Sequence, residues 1–63
     1  MSTEKANALA NEILEAMRGM SPEMAEALML SRRDDINFIQ GHEPVRVIHM
    51  RNLIGYMRAR EQD

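Results

Sequence analysis

The sequence contains no cysteine, and only two of its 63 residues are aromatic: one tyrosine and one phenylalanine. Without cysteine, neither a disulfide nor a thiolate zinc site can form, and two histidines cannot complete a four-ligand site without nearby carboxylates. We therefore expect no bound metal. A chain this short buries only about 60% of the surface that its unfolded form exposes, so self-association is the expected source of further buried area.

Long apolar segments are also missing. The longest uninterrupted apolar run extends only from Ala27 to Leu30, far short of the roughly 20 residues that span a bilayer. The first five residues lack the order of a secretion signal, in which basic residues precede an apolar stretch. We therefore expect a cytoplasmic protein that makes no membrane contact.

The sequence also lacks the usual signatures of catalysis. Its three glycines are isolated, which excludes a glycine-rich phosphate-binding loop. No cysteine nucleophile is present, and Ser2, Ser21 and Ser31 are placed as a terminal residue and helix caps. Because a few short helices rarely enclose a site that excludes water, we expect no enzyme activity and no cofactor.

Apolar residues recur at spacings of three and four, which predicts helices over residues 3–18, 22–40 and 44–60. Gly19 is suited to ending the first helix, Ser21 and Pro22 to beginning the second, and Pro44 to beginning the third. The prediction is one all-α domain over residues 1–63. It is a three-helix bundle, or a helical hairpin with an extra N-terminal helix, completed by homodimerisation.

The apolar stripe of the second segment is interrupted by Arg32 and Asp35. Ser31 and Asp34 approximate a capping box, which would divide the segment into two helices and give a helix-turn-helix. In a continuous helix, Arg32 and Asp35 would instead form a polar island, either paired one turn apart or directed at a partner. We expect the continuous helix.

The third segment has two distinct faces. Its core stripe consists of Val47, Met50, Leu53, Ile54 and Met57. A second seam lies opposite, made of Ile48, Asn52, Gly55 and Ala59. A glycine inside a helix costs about 1 kcal/mol relative to alanine, and close approach of another backbone would explain Gly55, as would a tolerated surface glycine. We predict that this seam mediates self-association.

Charge is unevenly distributed along the chain, whose net charge is -2. Residues 1–30 carry two basic and five acidic side chains, whereas residues 31–63 carry six arginines and five acidic side chains. The two halves can attract each other within one chain or between two chains. The predicted partner-binding residues are Arg32, Arg33, Asp35, Arg51, Tyr56 and Arg58.

Small size, two-sided helices and the missing catalytic groups favour a protein that acts by binding. We expect a small regulatory or inhibitory protein that occupies the surface of a larger protein, of the kind that phages and mobile elements encode. Seven methionines in 63 residues fit this expectation, because methionine serves both as core filler and on surfaces that repack against a partner. Met17, Met24, Met50 and Met57 are predicted to lie in the core.

The alternative is a DNA-binding regulator. The stretch EMAEALMLSRR at residues 23–33 precedes Ile36, Phe38, Ile39 and then EPVRV at residues 43–47. This order loosely resembles the helix-turn-helix and wing of excisionase-like phage proteins, over residues 23–61. The resemblance implies Arg32 and Arg33 at the start of a recognition helix, with phosphate contacts from Arg46, Arg51 and Arg58.

The chain departs from the excisionase-like pattern at several positions. Met29 stands where the turn usually has glycine, Asp35 stands at a position that should be apolar, and the wing hairpin is nearly absent. Asp34 and Asp35 would also oppose the phosphate attraction that supplies most DNA affinity. Protein binding is therefore the preferred prediction.

Overall fold

A computed structural model describes residues 2–62 and shows four α-helices among them. These are α1 (Ser2–Met17), α2 (Pro22–Ser31), α3 (Arg33–His42) and α4 (Pro44–Glu61). No strand occurs in this part of the chain, which confirms the all-helical prediction, although the helices number four and not three. None of them is both long enough and apolar enough to cross a lipid bilayer.

The turn between α1 and α2 follows the local rules of helix ends. Gly19 has a φ of 76°, the left-handed conformation that glycine adopts without steric cost. The Met20 amide donates to the Met17 carbonyl at 3.1 Å. Ser21 is the N-cap of α2, where its hydroxyl oxygen accepts the Met24 amide at 3.2 Å, and Pro22 occupies the first turn. The predicted end of the first helix and start of the second are therefore confirmed.

The prediction of one continuous helix over residues 22–40 is wrong. The helical path is interrupted at Arg32, whose φ and ψ are -106° and 26°. The interruption is not a capping box, because no side chain caps the start of α3 and the Ser31 hydroxyl donates back to the Leu28 carbonyl at 2.9 Å.

The interruption at Arg32 redirects α3 into the core. Ile36 and Ile39 of α3 are buried, and α3 packs mainly against α1 and α4. α2 packs mainly against α4. A continuous helix would place Arg32 and Asp35 in the same stripe as these isoleucines. Turning the chain at Arg32 lets the apolar residues of both helices be buried while the two charged side chains stay at the junction.

The core is entirely apolar among residues 2–62, with no buried polar or charged residue. The predicted stripe of α4 is confirmed, since Val47, Met50 and Ile54 are buried and two further members pack against them. Met24, in contrast, was expected in the core and is 58% exposed, because α2 turns the neighbouring Ala25 inward. The connected core cluster consists of Ala10, Ile13, Met17, Ala25, Ile36, Ile39, Val47, Met50 and Ile54.

Candidate protein-interaction surfaces

A groove of about 500 Å³ lies between α2, α3 and α4 and gathers three of the predicted partner-binding arginines. We call it the basic groove. Its floor is apolar and its edges carry charged and polar side chains, which is the layout of a site for an amphipathic segment. The lining residues are Glu26, Met29, Leu30, Arg33, Ile36, Asn37, Arg51, Ile54 and Arg58.

The arginines of the basic groove differ in how they are paired. Arg58 donates to the Glu26 carboxylate. This hydrogen bond, supported by the negative charge of Glu26, raises the pKa of Arg58. Within residues 2–62, neither Arg33 nor Arg51 has a hydrogen-bond or ion-pair partner, and both are exposed. The groove therefore presents two uncompensated positive charges beside its apolar floor.

Arg32 and Asp35 lie elsewhere, at the junction of α2 and α3. The Arg32 Nε donates to the Asp35 Oδ2 at 2.9 Å, and its Nη1 donates to the Glu12 Oε1 of α1 at 3.2 Å. The hydrogen bond to Asp35 is the main reason that the pKa of Arg32 is raised, and the charge of Glu12 adds to it. Both predicted residues thus have partners inside the chain. The Arg32–Asp35 pair one turn apart is one of the two alternatives given for these residues, although the helix that contains them is divided.

A second surface runs along the side of α4 that faces away from the core. We call it the outer face of α4, defined by Val45, Ile48, Asn52, Gly55, Tyr56 and Ala59, all of them exposed. Val45 is 70% exposed, Ile48 53% and Tyr56 71%. A Cβ added at Gly55 would meet nothing within 4 Å, so packing within the chain does not explain that glycine.

The outer face contains the whole predicted self-association seam, together with Tyr56, which was predicted to bind a partner. Val45 was missed, although its spacing of three from Ile48 is a helical signal that could have found it.

The sequence pattern also missed Glu12 and Glu26. Glu12 is 20 residues from Arg32 and Glu26 is 32 residues from Arg58, so no local spacing links either pair. Leu30 lies off the apolar stripe of the second predicted helix, which indicated a second contact surface on that segment, and it is 70% exposed in the basic groove.

No family model, curated protein or solved structure matches the chain. Function is therefore argued from the chemistry of the two surfaces. Within residues 2–62, no group of three or more histidine, aspartate and glutamate side chains is arranged to hold a metal ion. What the surfaces do offer is exposed apolar area next to free guanidinium groups, which is chemistry for binding.

Proposed function

We propose that the protein is a cytoplasmic, non-enzymatic regulatory or inhibitory protein, of the type that phages and mobile elements encode, which binds a larger protein as a homodimer. The outer face of α4 is the observation that carries the proposal. Three large apolar side chains, Val45, Ile48 and Tyr56, lie exposed along one side of one helix. Grouped exposed apolar side chains of this kind mark interaction sites, whereas isolated ones do not.

A second copy of the chain fits this face through a two-fold axis. If two α4 helices pair antiparallel about Asn52, Ile48 of one copy meets Tyr56 of the other, because each lies four residues from Asn52. Val45 and Ala59 lie seven residues from Asn52 and meet in the same way. The two Asn52 amides each offer a donor and an acceptor to the other. The same patch then serves both copies, as a closed dimer requires.

Charge favours the antiparallel arrangement over the parallel one. A parallel pair would set Arg51, Arg58 and Arg60 of one copy beside the same residues of the other. An antiparallel pair separates Arg58 and Arg60 from the same residues of the other copy, toward opposite ends of a helix about 27 Å long. It does set Arg46 of one copy opposite Arg58 of the other, because each lies six residues from Asn52. Residual repulsion between the two basic helices remains, so added salt should strengthen the dimer by screening it.

We expect light scattering to give a mass of twice the 7.3 kDa chain, and Ile48→Glu to give the monomer, because the dimer would bury this carboxylate without a partner. Met24→Glu is the matched control. Met24 is similarly exposed, at 58%, but lies outside both surfaces, so this variant should remain dimeric. A wild-type chain that is monomeric even at millimolar concentration would exclude the dimer.

Cysteine cross-linking tests the orientation, since the chain has no cysteine of its own. Ile48→Cys mixed with Tyr56→Cys should form a disulfide-linked heterodimer on mild oxidation, whereas Ile48→Cys alone should not cross-link. Asn52→Cys should cross-link with itself. Efficient self-linking of Ile48→Cys would instead indicate a parallel pair.

DNA binding is the second candidate function, and the interruption at Arg32 favours it. The division into α2 and α3 is what the helix-turn-helix alternative required, and Arg33 lies exposed in the first turn of α3. Two features oppose it. Asp34 is exposed beside Arg33, and a single residue separates the helices, where a helix-turn-helix usually has a turn of three or four residues.

We expect no complex with a short DNA duplex at about 50 mM salt, where phosphate contacts are strong. Fluorescence anisotropy of a labelled duplex measures this directly. A complex that forms at low salt, dissociates steeply as salt is added and is lost in Arg33→Ala would replace the protein-binding proposal with the DNA-binding one.

A further inference from the structure

We infer that the basic groove binds an amphipathic helix whose polar side carries carboxylates, supplied by the larger partner protein. The inference rests on the proposed function and specifies the partner's chemistry at a surface separate from the dimer face. On α4, the groove uses Arg51, Ile54 and Arg58. None of them belongs to the outer face, although Arg51 adjoins it, three residues from Ile48. A dimer formed through the outer face uses none of the groove-lining residues, so each copy keeps its own groove.

The floor of the groove suits the apolar side of a helix. Leu30 is 70% exposed, and Met29 is half-buried beside it. Ile36 and Ile54 close the floor from α3 and α4 and belong to the core cluster, so the floor is supported from below. Helices bind such grooves by inserting apolar side chains at spacings of three and four residues. The flexible thioether side chain of Met29 can adjust to their shape.

The charges around the floor select for an acidic occupant. Arg33 on α3 and Arg51 on α4 have no partner among residues 2–62, and each guanidinium presents a planar set of donors that matches a carboxylate. The Arg58 guanidinium already donates a hydrogen bond to a carboxylate, that of the chain's own Glu26. This pair shows that a carboxylate can bind at this edge of the groove. Glu26 thus stands where a partner carboxylate would bind, and it competes with that carboxylate for Arg58.

A synthetic peptide provides the test without knowledge of the natural partner. The probe is a fluorescein-labelled amphipathic helix with leucine along one side and glutamate along the other, and the comparison peptide has lysine in place of glutamate. We expect fluorescence anisotropy to show binding of the acidic peptide only, weakening as salt is added. The double variant Arg33→Ala, Arg51→Ala should bind it about tenfold more weakly, with unchanged circular dichroism.

Glu26→Gln provides the sharper test. Removing the competing carboxylate frees Arg58, so the acidic peptide should bind this variant roughly two- to fivefold more tightly than the wild type. A purely structural role for the Glu26–Arg58 pair would leave the affinity unchanged or lower it. Arg60→Ala is the control, since Arg60 is an exposed arginine of α4 outside the groove, and it should bind as the wild type does.

The peptide experiments and the mass measurement together distinguish a failure of the acidic-helix inference from a failure of the proposed dimer. A dimer that binds neither peptide, or binds both equally, overturns the acidic-helix inference and leaves the dimer intact. Binding to phosphatidylserine vesicles but not to the acidic peptide also overturns it, in favour of a lipid surface. A monomeric wild-type chain that binds the acidic peptide and responds to Glu26→Gln supports the groove and contradicts the dimer.

Discussion

Ile39→Ala is expected to remove a large part of the free energy of unfolding and to lower the melting temperature markedly. Ile39 is fully buried in the core cluster, on the helix that packs against both α1 and α4. Truncating a buried isoleucine to alanine costs about 2–5 kcal/mol, because apolar burial is lost and a cavity remains. A 63-residue chain has a total free energy of unfolding of about 3–9 kcal/mol. Thermal denaturation followed by circular dichroism measures the loss.

The control for Ile39→Ala is the same substitution at Ile48. Ile48 is 53% exposed on the outer face of α4, so its truncation should leave the melting temperature of the monomer nearly unchanged. Both variants are compared at a concentration at which the wild type is monomeric, because dimerisation would add stability through Ile48. Equal destabilisation by the two substitutions would contradict the placement of Ile39 in the core and Ile48 outside it.

Gly19→Ala and Gly55→Ala are expected to change stability in opposite directions. Gly19 has a φ of 76°, where a Cβ approaches the following carbonyl oxygen, so alanine should destabilise the fold by about 1–2 kcal/mol. Gly55 lies inside α4 with open space around the position of a Cβ. Alanine there should stabilise the monomer by about 0.5–1 kcal/mol. Urea denaturation of the two variants and the wild type gives both values.

The Gly55 variant also tests why a glycine is present on α4. If two α4 helices approach closely, the added methyl group should weaken the dimer while it strengthens the monomer. Analytical ultracentrifugation separates the two effects. A variant that is more stable and equally dimeric would show that Gly55 is a tolerated surface glycine, and a less stable monomer would contradict the open space around it.

The residues of the basic groove could be predicted only one by one. Arg33, Arg51 and Arg58 were chosen as partner-binding residues because they are charged and lie beside apolar stripes. The pattern could not show that they line one groove, since they come from two helices whose relative placement depends on the turn at Arg32. Arg32 was predicted to bind a partner because it interrupts the apolar stripe, and it is instead held by Asp35 and Glu12.

Local chemistry alone was sufficient to predict the all-helical class, the turn at Gly19, the N-cap at Ser21 and the two faces of α4. Each of these depends on residues within one or two helical turns. The interruption at Arg32 could not be predicted in this way, because the local pattern is compatible with both a continuous and a divided helix and favoured the continuous one. Burying Ile36 and Ile39 between α1 and α4 favours the divided form, and the Arg32–Glu12 ion pair across 20 residues accompanies it. The groove exists for the same reason, since it forms only where three separately placed helices meet.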